Sequence, residues 1–402
     1  MSPALLRLAL VRCPGAEAAW AVPGRIELLG KHTDYLGGPS LVCAADRGFV
    51  VAVRADGGDG VRIAGDRGAC ALALDGAGPD EGWARYAGAV VRRLARDFPG
   101  AARPVAIGLA SDLPPAAGLS SSSALVVALA EALRWAWALD RHPAWLPLAD
   151  RLARATYWSC LENGRACAGF AADGGVGTAG GSEDHVAILC ARAGHASLFR
   201  YAPVVALAEP AWPADVVAVV LDSGVRAEKT GAAMAAYNAC AERHAEAVTA
   251  WNAATGRSDP HLSAAFAAAG SEAVLARLDG EQRRRAEHAA IESAIVLDAA
   301  ARLAAGDRAG FAAALRRSQD AAERLLGNQI PATIRLCRLA EALDAPGATA
   351  FGAGFGGAVW ALHPASGAEA FAQAWRSAAG PGAGEALIVR PGPGLHPVEI
   401  PA

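Results

Sequence analysis

Lysine is almost absent from the sequence. Of the 37 Lys and Arg residues in this 402-residue chain, two are lysines, Lys31 and Lys229, and the formal net charge is −3. The arginines are scattered along the chain rather than grouped in blocks. Because neither a basic block nor a strong net charge is present, we expect no nucleic-acid partner and no recruitment to an anionic membrane.

Paired cysteines and long apolar runs are also missing. None of the eight cysteines forms a Cys-x-x-Cys pair, which argues against a structural zinc site, and a disulfide framework is not expected at this length. The apolar run within residues 1–13 is too short and too interrupted for a signal peptide. The stretch 124–139 contains Glu131 and Arg134 and is shorter than a membrane span. We therefore expect a soluble, cytoplasmic protein.

The length of the chain suggests two domains, and 53% hydrophobic residues suffice for buried cores. Strand and helix signals alternate in the first half, whereas long Ala-rich helices follow Pro203. This change of pattern predicts an α+β protein with domains at 1–205 and 206–402.

The expected elements follow from apolar periodicity and turn residues. The predicted strands are 25–29, 41–45, 48–54, 61–63, 70–74, 104–110, 186–190, 196–200, 216–222, 348–352, 358–363 and 386–389. The predicted helices are 83–98, one from about residue 121, 146–162, 232–255, 280–305, 308–318, 334–343 and 367–379. Residues 391–397 are predicted to form a surface turn.

Residues 114–123 form a Pro/Gly/Ser loop, PPAAGLSSSS, between a predicted strand and a predicted helix. A helix N-terminus has unpaired N–H groups and a positive dipole end, which suits a phosphate group. Serine hydroxyls can cap the helix, bind phosphate or ligate Mg²⁺. The loop lacks the Gly-Lys-Ser/Thr ending of a Walker P-loop. Taken alone, it is equally compatible with a serine-rich helix cap that binds no ligand.

Two further motifs favour the phosphate-binding interpretation. Residues 23–38, PGRIELLGKHTDYLGG, resemble the galactokinase signature PGRxNLIGEHTDYxxG. The loop 114–123 and the segment 352–357, GAGFGG, resemble the second and third motifs of the galacto-, homoserine, mevalonate and phosphomevalonate (GHMP) kinases. The three motifs follow the order and approximate spacing of that family.

The resemblance implies a fold, a reaction and ligands. It implies a ribosomal-S5-like N-terminal domain, an α/β C-terminal domain and an active site in the cleft between them. The implied reaction is ATP-dependent phosphorylation of a monosaccharide at its anomeric hydroxyl, with Mg²⁺. Weaker matches are Trp83–Tyr86, near the nucleotide base, and residues 222–226, which open the second domain.

Two residues are predicted to be catalytic. Asp184 lies in the segment GGSEDH, which resembles the family's catalytic aspartate segment, commonly Met-Asp-Gln. Its carboxylate would accept the proton of the anomeric hydroxyl. Arg25 would lie beside Asp184 and the transferring phosphoryl group, where a cation keeps the carboxylate ionised and offsets phosphate charge.

The resemblance also implies ligand contacts. The predicted nucleotide-binding residues are Trp83, Pro115, Ala117, Gly118, Leu119, Ser120, Ser121, Ser122, Ser123, Gly354 and Gly356. Mg²⁺ would be held by phosphate oxygens, Ser122 and Glu162. The predicted sugar-binding residues are Lys31, His32, Asp34, Tyr35, Gly181 and Tyr237.

Lys31 departs from the family pattern, which carries Glu at this position, near the C6 end of the sugar. His185 likewise replaces the usual Gln beside the catalytic Asp. Lys31 could pair with the carboxylate of a uronic acid such as galacturonate, or fill the space left by a shorter sugar such as arabinose. Alternatively, it could turn outward onto Glu27 or Glu183 and leave galactose accepted.

Two other functions compete with that of a sugar kinase. A GHMP kinase for a non-sugar alcohol is disfavoured by the segment GKHTDY, which resembles the sugar branch alone. A non-catalytic sensor of sugar and ATP is favoured by Ala116 and Ala117, where galactokinases carry more glycine, and opposed by Arg25 and Asp184. The oligomeric state is left undetermined.

Overall fold

The computed structural model describes residues 2–55, 58–114, 118–225 and 231–401, with the backbone alone for 231–234. Its helices are α1 (Pro3–Arg12), α2 (Gly82–Asp97), α3 (Ser121–Ala136), α4 (Arg151–Asn163), α5 (Glu183–Cys190), α6 (Gly231–Thr255), α7 (Leu262–Ala269), α8 (Ser271–Leu275), α9 (Gly280–Ala304), α10 (Arg308–Ala321), α11 (Pro331–Ala342) and α12 (Ala368–Ala379). Its strands are β1 (Ala18–Leu29), β2 (Pro39–Ala55), β3 (Val61–Gly65), β4 (Gly68–Leu72), β5 (Val105–Ser111), β6 (Ser197–Arg200), β7 (Val205–Ala208), β8 (Val216–Asp222), β9 (Gly347–Ala350), β10 (Ala358–Pro364), β11 (Ala386–Val389), β12 (Pro391–Gly392) and β13 (His396–Pro397).

The first sheet is built around the long strand β2. Its main path runs β13-β1-β2-β5-β3-β4, and β6 and β12 also pair with β2. Side chains alternate between the two faces of a strand. Val50 and Ala52 therefore pack under α1, whereas Val51 and Val53 enter the main core, which also contains side chains of α2, α3, α4 and α5. The sheet is covered by helices on both faces.

The second sheet is antiparallel, in the order β11-β8-β10-β9. Along β8, Val217, Val219 and Leu221 pack with residues of α11 and α12. Ala218 and Val220 face the other way, toward the core shared with α9 and α10. Among the described residues, no helix is both long and apolar enough to cross a membrane.

The sequence-based element predictions were wrong at several places. Residues 186–190 form the end of helix α5 rather than a strand, because a short apolar run that is buried on all sides carries no periodicity. The predicted helix 146–162 is divided by Asp150, whose carboxylate caps α4 by accepting hydrogen bonds from two backbone N–H groups. The two strands predicted within 41–54 are one continuous strand, and α1, α7 and α8 were not predicted.

The C-terminal tail returns to the first sheet. The predicted surface turn at 391–397 instead contains β12, which pairs with β2, and β13, which pairs with β1. The predicted domain boundary at 205–206 falls inside β7, which pairs with β6 of the first sheet. The boundary stays a prediction.

A buried ion network anchors α3, the helix that follows the serine loop. The side chain of Glu131 is fully buried. Its oxygens lie 2.7 Å from Arg134 Nε, 3.0 Å from Arg154 Nε and 3.0 Å from Trp158 Nε1, which donates a hydrogen bond. The network ties α3 to α4, since Arg154 and Trp158 belong to the latter helix.

Glu131→Ala is expected to lower the free energy of unfolding by about 3–5 kcal/mol, because two arginines lose their buried counter-charge. Urea denaturation followed by circular dichroism measures this. Asp298 is the matched control, since it pairs with Arg302 at 2.9 Å and with Arg317 but is 34% exposed. Asp298→Ala should cost at most about 1 kcal/mol. Equal losses in the two variants would contradict the structural role of Glu131.

Candidate active site

A cavity of about 580 Å³ opens between the first sheet and the loop that joins β9 to β10. One part of its wall is apolar and aromatic and comprises Phe49, Trp83, Tyr86, Leu109, Leu113 and Leu125. Trp83, a predicted nucleotide contact, donates a hydrogen bond from Nε1 to the carbonyl oxygen of Arg67 at 3.3 Å. A wall of this kind can pack against a planar base.

The loop before α3 presents serines and backbone groups to the cavity. The lining residues from this segment are Gly118, Ser120, Ser121, Ser122 and Ser123. Because α3 begins at Ser121, its unpaired N–H groups lie at the cavity wall, where the helix dipole favours an anion. Gly118 has φ +76°, and a Cβ there would lie 2.6 Å from the Phe351 ring, so glycine is required.

Other members of the predicted nucleotide set lie elsewhere. Leu119 is buried in the core, and its carbonyl oxygen accepts a hydrogen bond from the Arg25 backbone N–H at 3.2 Å. Leu119 therefore anchors the loop instead of contacting the cavity. Pro115 and Ala117 lie outside the described residues.

The glycine segment 352–357 contributes less to the cavity than predicted. Phe351, Gly352 and Ala353 line it, whereas Gly354 and Gly356 do not. Gly354 has φ +69° and packs against Asn328, leaving no room for a side chain. Glycine at position 354 therefore permits the turn between β9 and β10.

Arg25, which is buried, and Asp184, which is partly exposed to the cavity, form an ion pair at the polar part of the cavity. Arg25 Nε and Nη2 lie 2.7 and 2.6 Å from Asp184 Oδ1. Nη1 donates to the carbonyl oxygen of Gly118 at 2.8 Å, and Ser123 donates to Asp184 Oδ2 at 3.2 Å. Burial acts to lower the pKa of Arg25, but the carboxylates of Asp184 and its neighbours raise it above its ordinary value. The guanidinium is therefore a fixed cation.

Local structure explains why these groups meet. Arg25 and Glu27 are two residues apart on β1, so both point to the cavity while Ile26 enters the core. Asp184 lies in the first turn of α5, where a carboxylate is favoured by the helix dipole. The sequence pattern predicts a strand at 186–190 with Asp184 in the loop before it, whereas the structure has a helix there.

Four of the predicted sugar-binding residues line the same polar part: His32, Asp34, Gly181 and Tyr237. Asp34 Oδ1 accepts a hydrogen bond from the Tyr35 N–H at 2.8 Å, and its Oδ2 lies against Gly181, where a Cβ would collide with it. Tyr35 stands behind His32, with its hydroxyl 2.6 Å from His32 Nδ1, and does not line the cavity.

The prediction that Lys31 contacts the substrate is not supported by its position. Its side chain is fully buried, and Nζ donates hydrogen bonds to Ser318 Oγ at 2.8 Å and Thr349 Oγ1 at 2.7 Å. Its backbone N–H donates to Glu292 at 3.1 Å. The turn after β1 sends this side chain toward α10 and β9, so it neither lines the cavity nor turns outward.

Glu162, the predicted metal ligand, lines the cavity together with His185. Its Oε2 lies 2.9 Å from His185 Nε2, and both side chains are buried. Ser122, the other predicted ligand, also lines the cavity. Within residues 2–55, 58–114, 118–225 and 231–401, no cluster of three or more His, Cys, Asp or Glu side chains is arranged to hold a metal ion.

Two carboxyl groups were missed as site residues. Glu27 and Glu183 are buried and line the cavity, and burial raises the pKa of both groups, that of Glu27 to about 7. A signal existed in the motifs, since the family patterns carry Asn and Met at these two positions. Glu in place of Asn at position 27 and Glu in place of Met at position 183, both near Arg25 and Asp184, indicate a rearranged site.

Buried histidines lie behind the polar part of the cavity. The Tyr35 hydroxyl lies 2.6 Å from His32 Nδ1 and 3.4 Å from His244 Nδ1. Burial lowers the pKa of His32 to about 3 and that of His244 to about 4. Both imidazoles are therefore neutral at physiological pH.

Three family models match the chain. The galactokinase galactose-binding signature covers residues 12–55, the N-terminal domain of GHMP kinases covers 85–157 and the C-terminal domain of GHMP kinases covers 298–381. A galactokinase of Mycobacterium bovis (strain ATCC BAA-935 / AF2122/97) is 33% identical over 374 residues, which is 90% of this chain and 93% of that protein. A galactokinase of Streptomyces coelicolor is 29% identical over 373 residues, covering 89% and 87% of the two chains.

Solved structures show the same fold. The galactokinase of Lactococcus lactis, complexed with galactose, matches 98% of both chains with a TM-score of 0.79 at 21% identity. A mevalonate kinase matches 93% of this chain and 98% of its own with a TM-score of 0.57 at 13% identity. These likenesses confirm the predicted two-domain architecture of mixed helix and sheet.

The buried histidines predict a loss of stability in acid. A group whose folded pKa is depressed contributes stability that is present above its unfolded pKa, near 6.5, and is lost as pH falls toward the folded value. His244→Asn keeps a donor toward the Cys240 carbonyl but cannot titrate. The difference in unfolding free energy between pH ~7 and ~4.5 should therefore shrink by about 2 kcal/mol in this variant.

Urea denaturation at the two pH values measures the difference. His195 is the matched control, because its Nδ1 also contacts a backbone carbonyl, that of Ala193, at 2.8 Å, but its side chain is partly exposed. His195→Asn shows the effect of a His-to-Asn replacement at a side chain that is not buried. An undiminished acid loss in His244→Asn would show that His244 titrates normally.

Proposed function

Because the chain belongs to the galactokinase family of GHMP kinases, we propose that it transfers the γ-phosphoryl group of ATP to the anomeric hydroxyl of a neutral monosaccharide, with galactose as the leading candidate. The observation that carries this proposal is the ion pair between Arg25 and Asp184. It lies where the serine loop and the sugar-motif residues line one cavity.

Asp184 acts as the general base in this proposal. Its Oδ1 is held by Arg25, and its Oδ2, which accepts a hydrogen bond from Ser123 at 3.2 Å, is the oxygen on the other side of the carboxylate. Oδ2 takes the proton of the anomeric hydroxyl as that oxygen bonds to the γ-phosphorus. The bond between the γ-phosphorus and the bridging oxygen breaks, and ADP leaves. Arg25 keeps Asp184 ionised and offsets the charge that develops on the phosphoryl oxygens.

The serines at the start of α3 hold the phosphates of ATP through hydroxyl and backbone N–H groups. Mg²⁺ fits the donor set present, because Ser122 and Glu162 offer a hydroxyl and a carboxylate at the cavity wall. When bound, Mg²⁺ neutralises charge on the β- and γ-phosphates. His185, 2.9 Å from Glu162, orients that carboxylate.

The cavity favours a neutral sugar over a sugar acid. Lys31, the cation proposed to pair with a uronate, is bound to Ser318 and Thr349 outside the cavity. The described residues of the polar part instead contribute four carboxyl groups, those of Glu27, Asp34, Glu183 and Asp184. The C6 carboxylate of galacturonate would be repelled by those of the four groups that are ionised.

Asp184→Asn should lower kcat for galactose by roughly 10²–10⁴-fold, because Asn preserves the shape of the side chain but cannot accept the proton. A coupled assay of ADP release measures this, with galactose, arabinose and galacturonate as acceptors. Asp215→Asn is the control, since Asp215 also pairs with one arginine, Arg308 at 2.7 Å, but is exposed and far from the cavity.

Retention of wild-type kcat by Asp184→Asn would remove Asp184 from the role of base. If no sugar supports ADP release by the wild-type protein while ATP still raises its melting temperature, the chain is a sugar and ATP sensor instead.

A further inference from the structure

Glu27 differs from the family signature in charge as well as in size. The pattern PGRxNLIGEHTDYxxG places Asn at the position of Glu27 and Glu at that of Lys31, and Met is common at the position of Glu183. The pattern thus has one carboxylate at these three positions. This chain has two carboxylates and one ammonium, so the formal charge of the three positions is unchanged at −1. The acidic residues now stand at positions 27 and 183 instead of 31, and both Glu27 and Glu183 line the cavity.

The Glu27 carboxyl group is held in place but incompletely bonded. Its Oε2 lies against Gly352, where a Cβ would collide with it, and Glu183 contributes a side-chain hydrogen bond. Among the described residues, no hydrogen-bond partner is found for Oε1. The Glu27 side chain is 5% exposed and lines the cavity. An unpartnered carboxyl oxygen of this kind is costly unless a ligand bonds to it.

The neighbours of Glu27 belong to the sugar side of the site. Arg25 is two residues away on the same face of β1, and Glu183 lies 3.5 Å from Arg25 Nε and next to Asp184. His32 and Asp34, from the same motif as Glu27, also line this part of the cavity. A sugar bound beside these residues can supply the bonding partner of Oε1.

We propose that Glu27 is a specificity-determining residue, whose Oε1 binds a hydroxyl group of a neutral sugar and disfavours a sugar acid. This inference rests on the proposed function and names the residue that selects the acceptor. Glu27 takes no part in the bond-making step. It contributes binding to the sugar ring in the ground state and the transition state alike.

The test is steady-state kinetics of the wild type, Glu27→Gln and Glu27→Asn with galactose and with galacturonate. Gln preserves the shape of the side chain, and Asn restores the residue of the signature. If one variant misfolds, the other still tests the role of Glu27. At a pH above the Glu27 pKa of about 7, where the carboxylate is ionised, kcat/KM for galactose should fall about 10- to 100-fold in Glu27→Gln, the effect of losing a hydrogen bond to a charged group. The fall in kcat/KM should result from a higher KM, with kcat changed less than about threefold.

The ratio of kcat/KM for galactose to that for galacturonate should fall at least about tenfold, because the variant also removes repulsion of the sugar acid. Asp66→Asn is the matched control: Asp66 lines the cavity near Arg67 and Trp83, so this ratio should not change. A ratio within twofold of wild type in both Glu27 variants overturns the proposal. So does a fall in kcat at constant KM, which would place Glu27 at the reacting centre. Failure of the proposed function is recognised separately, since the wild type would then transfer phosphate to neither sugar.

Discussion

The ion pair between Arg25 and Asp184 is the interaction on which the arrangement of the site depends. The guanidinium joins three separate elements: it lies on β1, binds the carboxylate at the start of α5 and donates to the Gly118 carbonyl in the serine loop. A charge buried to this extent is stable when its donors are satisfied by a counter-charge and acceptors. The position of the Asp184 carboxylate and the position of the serine loop are thus set by one side chain.

Charge elsewhere in the site is arranged around this pair. Glu27 and Glu183 are buried near Asp184, Asp34 is partly buried there, and loss of solvent raises the pKa of each of the three carboxyl groups. Lys31 does not offset them from within the cavity. Its backbone N–H and that of Gly30 donate to Glu292, and its ammonium binds Ser318, which itself donates to Glu292 at 2.8 Å. The lysine fastens the sugar motif to α9 and α10, and the acidic cavity is left to discriminate among acceptors.

Sequence patterns predicted the parts of this molecule that depend on local chemistry. The long amphipathic helices, the start of α3 at Ser121 and most strands follow from periodicity and turn residues. Helix α5 did not follow, because its apolar residues are buried on all sides and its type is decided by tertiary packing. The motifs also identified residues that the structure brings together at one cavity, such as Arg25, Asp184 and Asp34. They could not give the direction of the Lys31 side chain, which depends on hydroxyl groups nearly 300 residues away in the sequence. Glu27 and Glu183, in contrast, could have been found from the sequence, because both replace uncharged residues of the family patterns next to Arg25 and Asp184 in the cavity.

The identity of the phosphorylated product tests the central claim most directly. The wild-type protein would be incubated with ATP, Mg²⁺ and galactose, and the product followed by ³¹P NMR with coupling to the sugar protons. A base at Asp184 facing the anomeric hydroxyl predicts a single sugar phosphate whose phosphorus couples to the anomeric proton. Phosphate attached to any other carbon, or inorganic phosphate released without a sugar product, would contradict the account.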